Sequence, residues 1–223
     1  MLPRALALRI RREWLARRVV QGKGYKERDV DLLPQLLKPT DICWDIGANS
    51  GTYTAPMSRL AAKVFAFEPV PHNFEILEAV TRLGRLNNVA ARRLAISDAS
   101  GTARMSIPAA GFYGGYYMAA LDAGGTLEVQ TSTIDGLIAE GVPEPDFIKC
   151  DVEGAEARVV EGARSLIARR HPIWLLETFE DAVLALMESL GYATHVHAED
   201  GRLVRVRART EARNYLFLPA DRR

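Results

Sequence analysis

The sequence predicts an α/β fold, a doubly wound sheet with helices on both faces, and three observations point to it. From about residue 40 onwards, apolar runs of strand length alternate with segments of helical periodicity. Four of the strand-like runs close on a carboxylate: Asp45, Glu68, Asp151 and Glu177. The first is followed at once by a glycine-rich turn. Strands alternating with helices build parallel βαβ units, and acids gathered at one edge of such a sheet mark its ligand crevice. With 223 residues and 48% hydrophobic content, the chain can bury one substantial core. It reads as a domain over residues 29–223 behind a basic arm over 1–28.

The arm carries nine Lys or Arg against two Glu, so the net charge of +1 conceals +7 at the start and −6 over the remainder. Residues 4–20 have high helix propensity, with Leu8, Leu15 and Val19 on a shared face and arginines over much of the rest. Two readings stand side by side: a peripheral membrane helix, or a solvated first helix. A glycine-containing linker at 21–26 precedes a short helix over 29–37. No apolar run is long enough for a transmembrane helix, and arginine interrupts the opening stretch too early for a secretory signal. A cytoplasmic location, membrane-peripheral if the arm binds lipid, is the expectation. Cys43 and Cys150 fall inside apolar runs, as small hydrophobes rather than a disulfide framework.

The stretch D-I-C-W-D-I-G-A-N-S-G, Asp41 to Gly51, reads as a doubly buried strand, then a ligand-binding turn. Asp45, Gly47 and Gly51 form D-x-G-x-x-x-G, in which the missing Cβ atoms allow a sharp turn and close approach to a bound molecule. Asn49 tolerates the left-handed dihedrals such a turn needs. A helix over 52–60 follows, then a strand at 64–67 ending in Glu68, 23 positions after Asp45 and placed to accept both ribose hydroxyls. This Rossmann-like order lacks G-x-G-x-x-G, which favours a nucleoside without a pyrophosphate, and S-adenosylmethionine fits.

Asn73 is the expected N-cap of a helix that Gly84 ends. A third strand over 90–96 leads into Ser97 and Asp98; Asp98 either accepts from an adenine amino group or is a turn residue. Residues 101–133 interrupt the alternation with hairpin strands at 102–107 and 126–133. Between them lie Gly111, Phe112, Tyr113, Gly114, Gly115, Tyr116 and Tyr117, read either as an aromatic flap over the acceptor or as a surface loop. Strand 146–152 then carries Lys149 and Asp151, with Ala155, Val159, Ala163 and Leu166 lining the buried side of its helix. Strand 173–176 ends at Glu177, a helix covers 181–190, and two strands, 192–198 and 214–218, close the chain.

Lys149 leaves its strand on the same face as Asp151 and needs a partner, for which Glu177 is the candidate. Lys149, Asp151 and Glu177 are accordingly the catalytic candidates, with a purely structural ion pair as the alternative. Asp151, Glu153 and Glu156 either hold a divalent cation or favour the following helix dipole. No metal ligand set is assigned, because the pair His195 and His197 has no third partner in the sequence. His72 borders the Glu68 loop.

Together W-D-I-G-A-N-S-G-T-Y-T, V-F-A-F-E-P-V-P-H-N-F, L-A-I-S-D-A-S-G, T-S-T-I-D, D-F-I-K-C-D-V-E-G-A-E and N-Y-L-F-L-P resemble the FkbM-type methyltransferases of the class I S-adenosylmethionine-dependent enzymes. The resemblance covers about residues 40–218. It implies a seven-stranded, mostly parallel sheet with an antiparallel last strand. It also implies O-methylation of a sugar, glycolipid or polyketide-like acceptor, small or lipid-linked, with no nucleic acid partner. Asp45, Gly47 and Gly51 would serve the methionine end of the cofactor, with Asn49 in the same turn. Glu68 would serve the ribose, Ser97 and Asp98 the adenine side, and Asp151 would face the transferred methyl group. The rival readings are a non-catalytic nucleoside-binding module recruited through the arm, and an NAD-dependent oxidoreductase.

Overall fold

Strand-length apolar runs become strands buried on both faces because each has helices to cover it. The computed structural model describes residues 4–24, 27–107 and 119–220. Ile42–Ile46 (β1) lies at the centre, parallel to Lys63–Phe67 (β2) on one side and Phe147–Cys150 (β8) on the other. Val89–Arg92 (β3) extends the parallel run beyond β2, and Ile173–Glu177 (β9) extends it beyond β8. Next to β9 comes Asn214–Pro219 (β12), antiparallel to it, followed by Tyr192–His197 (β10) and Leu203–Arg205 (β11). The order is β11-β10-β12-β9-β8-β1-β2-β3.

The last strand is antiparallel as expected, but the sheet has eight strands, not seven. β11 accounts for the difference: part of the arginine-rich connection before β12 folds back on β10 as a hairpin. The expected third strand also divides. Val89–Arg92 stays in the main sheet, whereas Ala95–Ile96 (β4) pairs with Leu127–Ser132 (β7) in a second sheet. That sheet is completed by Gly101–Ser106 (β5) and Ala120–Leu121 (β6), in the order β4-β7-β5-β6. β5 pairs antiparallel with β7 and also with β6, which lies between them in the chain, and the Gly/Tyr segment before β6 lies outside the described residues.

Successive strand residues point to opposite faces, which divides the core. Trp44, Ile46, Phe67, Ile148, Trp174 and Leu176 enter one cluster with Val159, Ala163 and Leu166 from the helices after β8. Cys43, Val64, Phe147 and Leu175 enter the other, beneath Leu33, Leu37, Tyr53 and Met57. By the same alternation Asp45, Lys149 and Glu177 emerge on this second face, the one roofed by the segment that follows the arm. The helix over Glu156–Arg170 is interrupted between Glu161 and Arg164. There a Cβ on Gly162 would stand 2.2 Å from the Ser97 carbonyl oxygen, so only glycine lets the two backbones touch.

Two further expectations change. Asn73 does not cap its helix, which runs Pro71–Gly84 with Val70 at the N-cap; proline suits the first turn, and Asn73 turns its side chain to Glu68 instead. In the first helix, Arg4–Val20, Leu15 and Val19 pack against Pro71–Gly84, whereas Leu8 lies 40% exposed beyond that contact.

Candidate functional site

The glycine turn after β1 is held in place by its neighbours. Gly47 and Ala48 donate their amides to the Phe67 carbonyl at 3.0 and 2.9 Å, and the Asn49 amide donates to Glu68 Oε2 at 2.8 Å. Gly47, Asn49 and Gly51 all take positive φ, at 75°, 49° and 87°. A Cβ on Gly47 would lie 1.7 Å from the Asp151 carbonyl oxygen, so the turn fits against the end of β8 only without a side chain. The ends of β1, β2 and β8 thus form one rigid edge.

Glu68, 4% exposed, also accepts from the Val70 amide at 2.8 Å and from Asn73. Burial pushes its carboxyl up to about 7, against the lowering effect of these donors. Asp45 is 1% exposed and takes a hydrogen bond from Thr54 Oγ1; burial raises it to about 6 despite Thr54 and Lys149. Buried carboxylates held this high gain from further donors, which the hydroxyls and ammonium of a nucleoside amino acid supply.

Two hollows meet at this edge. One, on the Glu68 side, is walled by Val70, Leu94, Ile96 and Met105 and suits an apolar ring beside a hydroxylated sugar. The other is a cleft of about 910 Å³ bordered by Asp45, Tyr53, Lys149, Glu177 and Asn214. Gly47, Asn49, Asp151 and Glu153 border both, so an elongated ligand can run from one into the other across the turn. Of the expected cofactor residues, Asp45, Gly47, Asn49, Glu68 and Asp151 are brought together here. Gly51 lies behind the turn, packed toward Leu77 and Val80. Ser97 and Asp98 border neither hollow. Ser97 Oγ donates to Asp98 Oδ1 at 2.9 Å, Arg158 Nε donates to the same oxygen at 3.0 Å, and the Arg158 bond holds Asp98 below the usual carboxylate range.

In the wide cleft, Lys149 is 1% exposed and sits 3.5 Å from Asp151 Oδ2, with its ammonium 4.9 Å from the centre of the Tyr53 ring. Its ion-pair partner is therefore Asp151 rather than the expected Glu177, because both leave the end of the same strand. The Lys149 Nζ has no hydrogen-bond partner among the described residues. Burial opposes its charge, but Asp151, Glu27, Asp45 and Glu177 outweigh it and raise its pKa. Glu177 is held up at about 7 by burial and by Asp151, with Lys149 pulling the other way.

Sequence reading missed Glu27, which it left in the arm. Its carboxylate accepts from Tyr53 Oη at 3.0 Å, and Glu27, Asp151 and Glu177 bring oxygens within 4.8 Å of one another. The carboxylate trio in the cleft is thus not Asp151, Glu153 and Glu156. Glu156 turns back to accept from the Val152 and Gly154 amides at 3.2 and 3.1 Å, bracing the loop that leads into its helix. Of the histidines, His197 lies at the cleft, 3.2 Å from Asp29, while His195 faces the Ala193 carbonyl. Phe179, 56% exposed at the rim beneath the Arg213 guanidinium, also escaped notice. Only folding brings these groups to the strand ends.

The methyltransferase FkbM domain matches residues 45–194. Hexuronic acid methyltransferase AglP of Haloferax volcanii is 33% identical over 138 residues, covering 61% of this chain and 56% of that protein. 31-O-demethyl-FK506 methyltransferase FkbM of Streptomyces tacrolimicus is 28% identical, covering 72% and 75%. Among solved structures, methyltransferase FkbM of Methylobacillus flagellatus superposes with a TM-score of 0.57 at 18% identity, over 81% of this chain and 44% of that one. SMU.1697c of Streptococcus mutans, in complex with SAH, gives 0.50 at 15% identity, over 85% and 93%. The chain thus spans little more than half the length of AglP and less than half of the Methylobacillus protein.

Proposed function

The chain belongs to the FkbM methyltransferase family, and we propose that it transfers a methyl group from S-adenosylmethionine to a hydroxyl of a sugar, glycolipid or polyketide-like acceptor, with residues 29–223 as the catalytic domain. The observation that carries this reading is the junction of the two hollows at Gly47, Asn49 and Asp151, with Glu68 on one side and a carboxylate-lined cleft on the other. Glu68 and Asn49 would hold the ribose, and Asp45 and the Gly47 turn the methionine end. Leu94, Ile96 and Met105 would face the adenine, with Ser97 and Asp98 supporting that wall. The bound cofactor supplies a sulfonium-activated methyl group.

What the protein adds is alignment and proton removal. Phe179 at the rim offers an aromatic face for a sugar ring, while Asp151 and Glu177 accept from its hydroxyls. Glu177, held near neutrality, is matched to the work of a general base, and Lys149 tunes it through their mutual field. The sequence relatives, one named for a hexuronic acid and one for 31-O-demethyl-FK506, support a hydroxylated acceptor. No divalent cation is needed in this scheme, since the Lys149 ammonium already stands among the carboxylates.

Calorimetry with S-adenosylmethionine and its demethylated product, followed by transfer of labelled methyl to a panel of monosaccharides and glycolipids, tests the proposal. Binding with transfer is expected, and Glu177→Gln should lower kcat by about 10²–10⁴-fold while leaving cofactor affinity within a few-fold. Cofactor binding without transfer to any hydroxylated acceptor would favour the binding-module reading. Stabilisation by NAD instead would favour an oxidoreductase.

A further inference from the structure

The helix Arg4–Val20 presents two unlike faces. One is spent on the body of the protein: Ala16 is fully buried, and Leu15, Val19 and Val20 close over Ile76, Ala79 and Val80. The opposite face carries Leu6, Ile10 and Trp14, spaced by four residues and 40%, 52% and 54% exposed. At about 100° per residue the three form a stripe roughly 80° wide that points away from the packed side. A helix face turned to water is ordinarily polar, and nothing in the fold requires these three side chains where they stand.

Positive charge surrounds the stripe. Arg9, Arg17 and Arg18 are exposed beside it, and the Arg18 guanidinium lies 5.0 Å from the centre of the Trp14 ring. Glu13, the helix's one acid, is shared by Arg9, Arg17 and Arg82 at 3.8, 3.9 and 3.3 Å, and Arg12 pairs with Glu75 on the packed side, so the helix still carries more cations than the acids that face it. We propose that this face docks on an anionic lipid bilayer, with the helix lying in the interface, Leu6, Ile10 and Trp14 below the headgroups, and the arginines on lipid phosphates. Charge selects this occupant over a second copy of the chain, whose arm would bring the same +7 to the contact. No helix among the described residues is long and apolar enough to cross a membrane, so the contact is peripheral.

Trp44 and Trp174 are fully buried, so a change in tryptophan emission on adding lipid reports Trp14. The full chain is titrated with phosphatidylcholine vesicles, with and without phosphatidylglycerol, and binding is also followed by sedimentation. Blue-shifted emission and co-sedimentation with the anionic vesicles alone are expected, weakened by salt. The double variant Leu6→Glu, Ile10→Glu retains Trp14 and should keep the melting temperature, because both side chains are solvent-exposed. It should need at least about tenfold more lipid for half-binding. Equal binding by variant and parent, or no response to anionic vesicles, overturns the proposal. So does self-association of the parent that the variant abolishes, which would make the face a contact between copies.

Discussion

A lysine buried among acids is retained at a cost, and Lys149 shows what that cost secures. Its ammonium is taken from water, given no hydrogen bond by any described residue, and compensated by the Tyr53 ring and the field of Asp151, Glu27, Asp45 and Glu177. The same field acts in reverse, since Lys149 draws Glu177 and Asp45 down from where burial alone would leave them. Lys149→Met should therefore move the acid limb of the kcat/KM profile, set near 7 by Glu177, upward by about one pH unit. A lysine that only packs would leave that limb in place, whatever it did to stability. Glu68 follows the same logic with neutral donors: three hydrogen bonds hold a buried carboxylate that, on the proposed reading, would accept two more from a ribose. Glu68→Ala should weaken cofactor affinity by roughly 10–100-fold, the value of hydrogen bonds to a charged group. Calorimetry reads this directly.

Among the elements, the turn between β1 and the helix Thr54–Ser58 carries the most constraint per residue. Gly47 combines a φ of 75° with a backbone contact that admits no Cβ, so Gly47→Ala must displace either the turn or the end of β8. Because β8 carries Lys149 and Asp151, that movement reaches both hollows at once. The expected result is a lower denaturation midpoint together with loss of cofactor binding at concentrations that saturate the parent. A variant that melts like the parent and binds normally would show that the turn has room the geometry denies it. Gly51 is constrained differently: its φ of 87° demands glycine, but it faces Leu77 and Val80 rather than a ligand. The two glycines of D-x-G-x-x-x-G thus serve different ends, one toward the site and one toward the core.

At the scale of the molecule, the raised carboxyls act together on stability. Asp45, Glu68, Glu153 and Glu177 move from ordinary values of 3.8 or 4.5 to about 6 or 7 on folding. Between those limits the folded chain holds protons the unfolded chain has released. Their contribution is therefore full at low pH and is lost as pH rises through about 7. The cofactor-free protein should show a lower urea midpoint at about pH 8 than at about pH 5.5. An equal or higher midpoint at the upper pH would contradict the burial assigned to these groups. The sequence by itself determined the strand and helix alternation, the glycine turn and the acids at the strand ends. Each of these is written in local periodicity or in the steric freedom of single residues. Tertiary structure alone decided that Lys149 pairs with Asp151 rather than Glu177, that Glu27 leaves the arm for the cleft, and that an eighth strand joins the sheet. It also decided that Leu6, Ile10 and Trp14, rather than Leu15 and Val19, remain uncovered on the first helix. Those outcomes depend on which distant segments meet, and long-range burial and charge, which no spacing along the chain encodes, settle that.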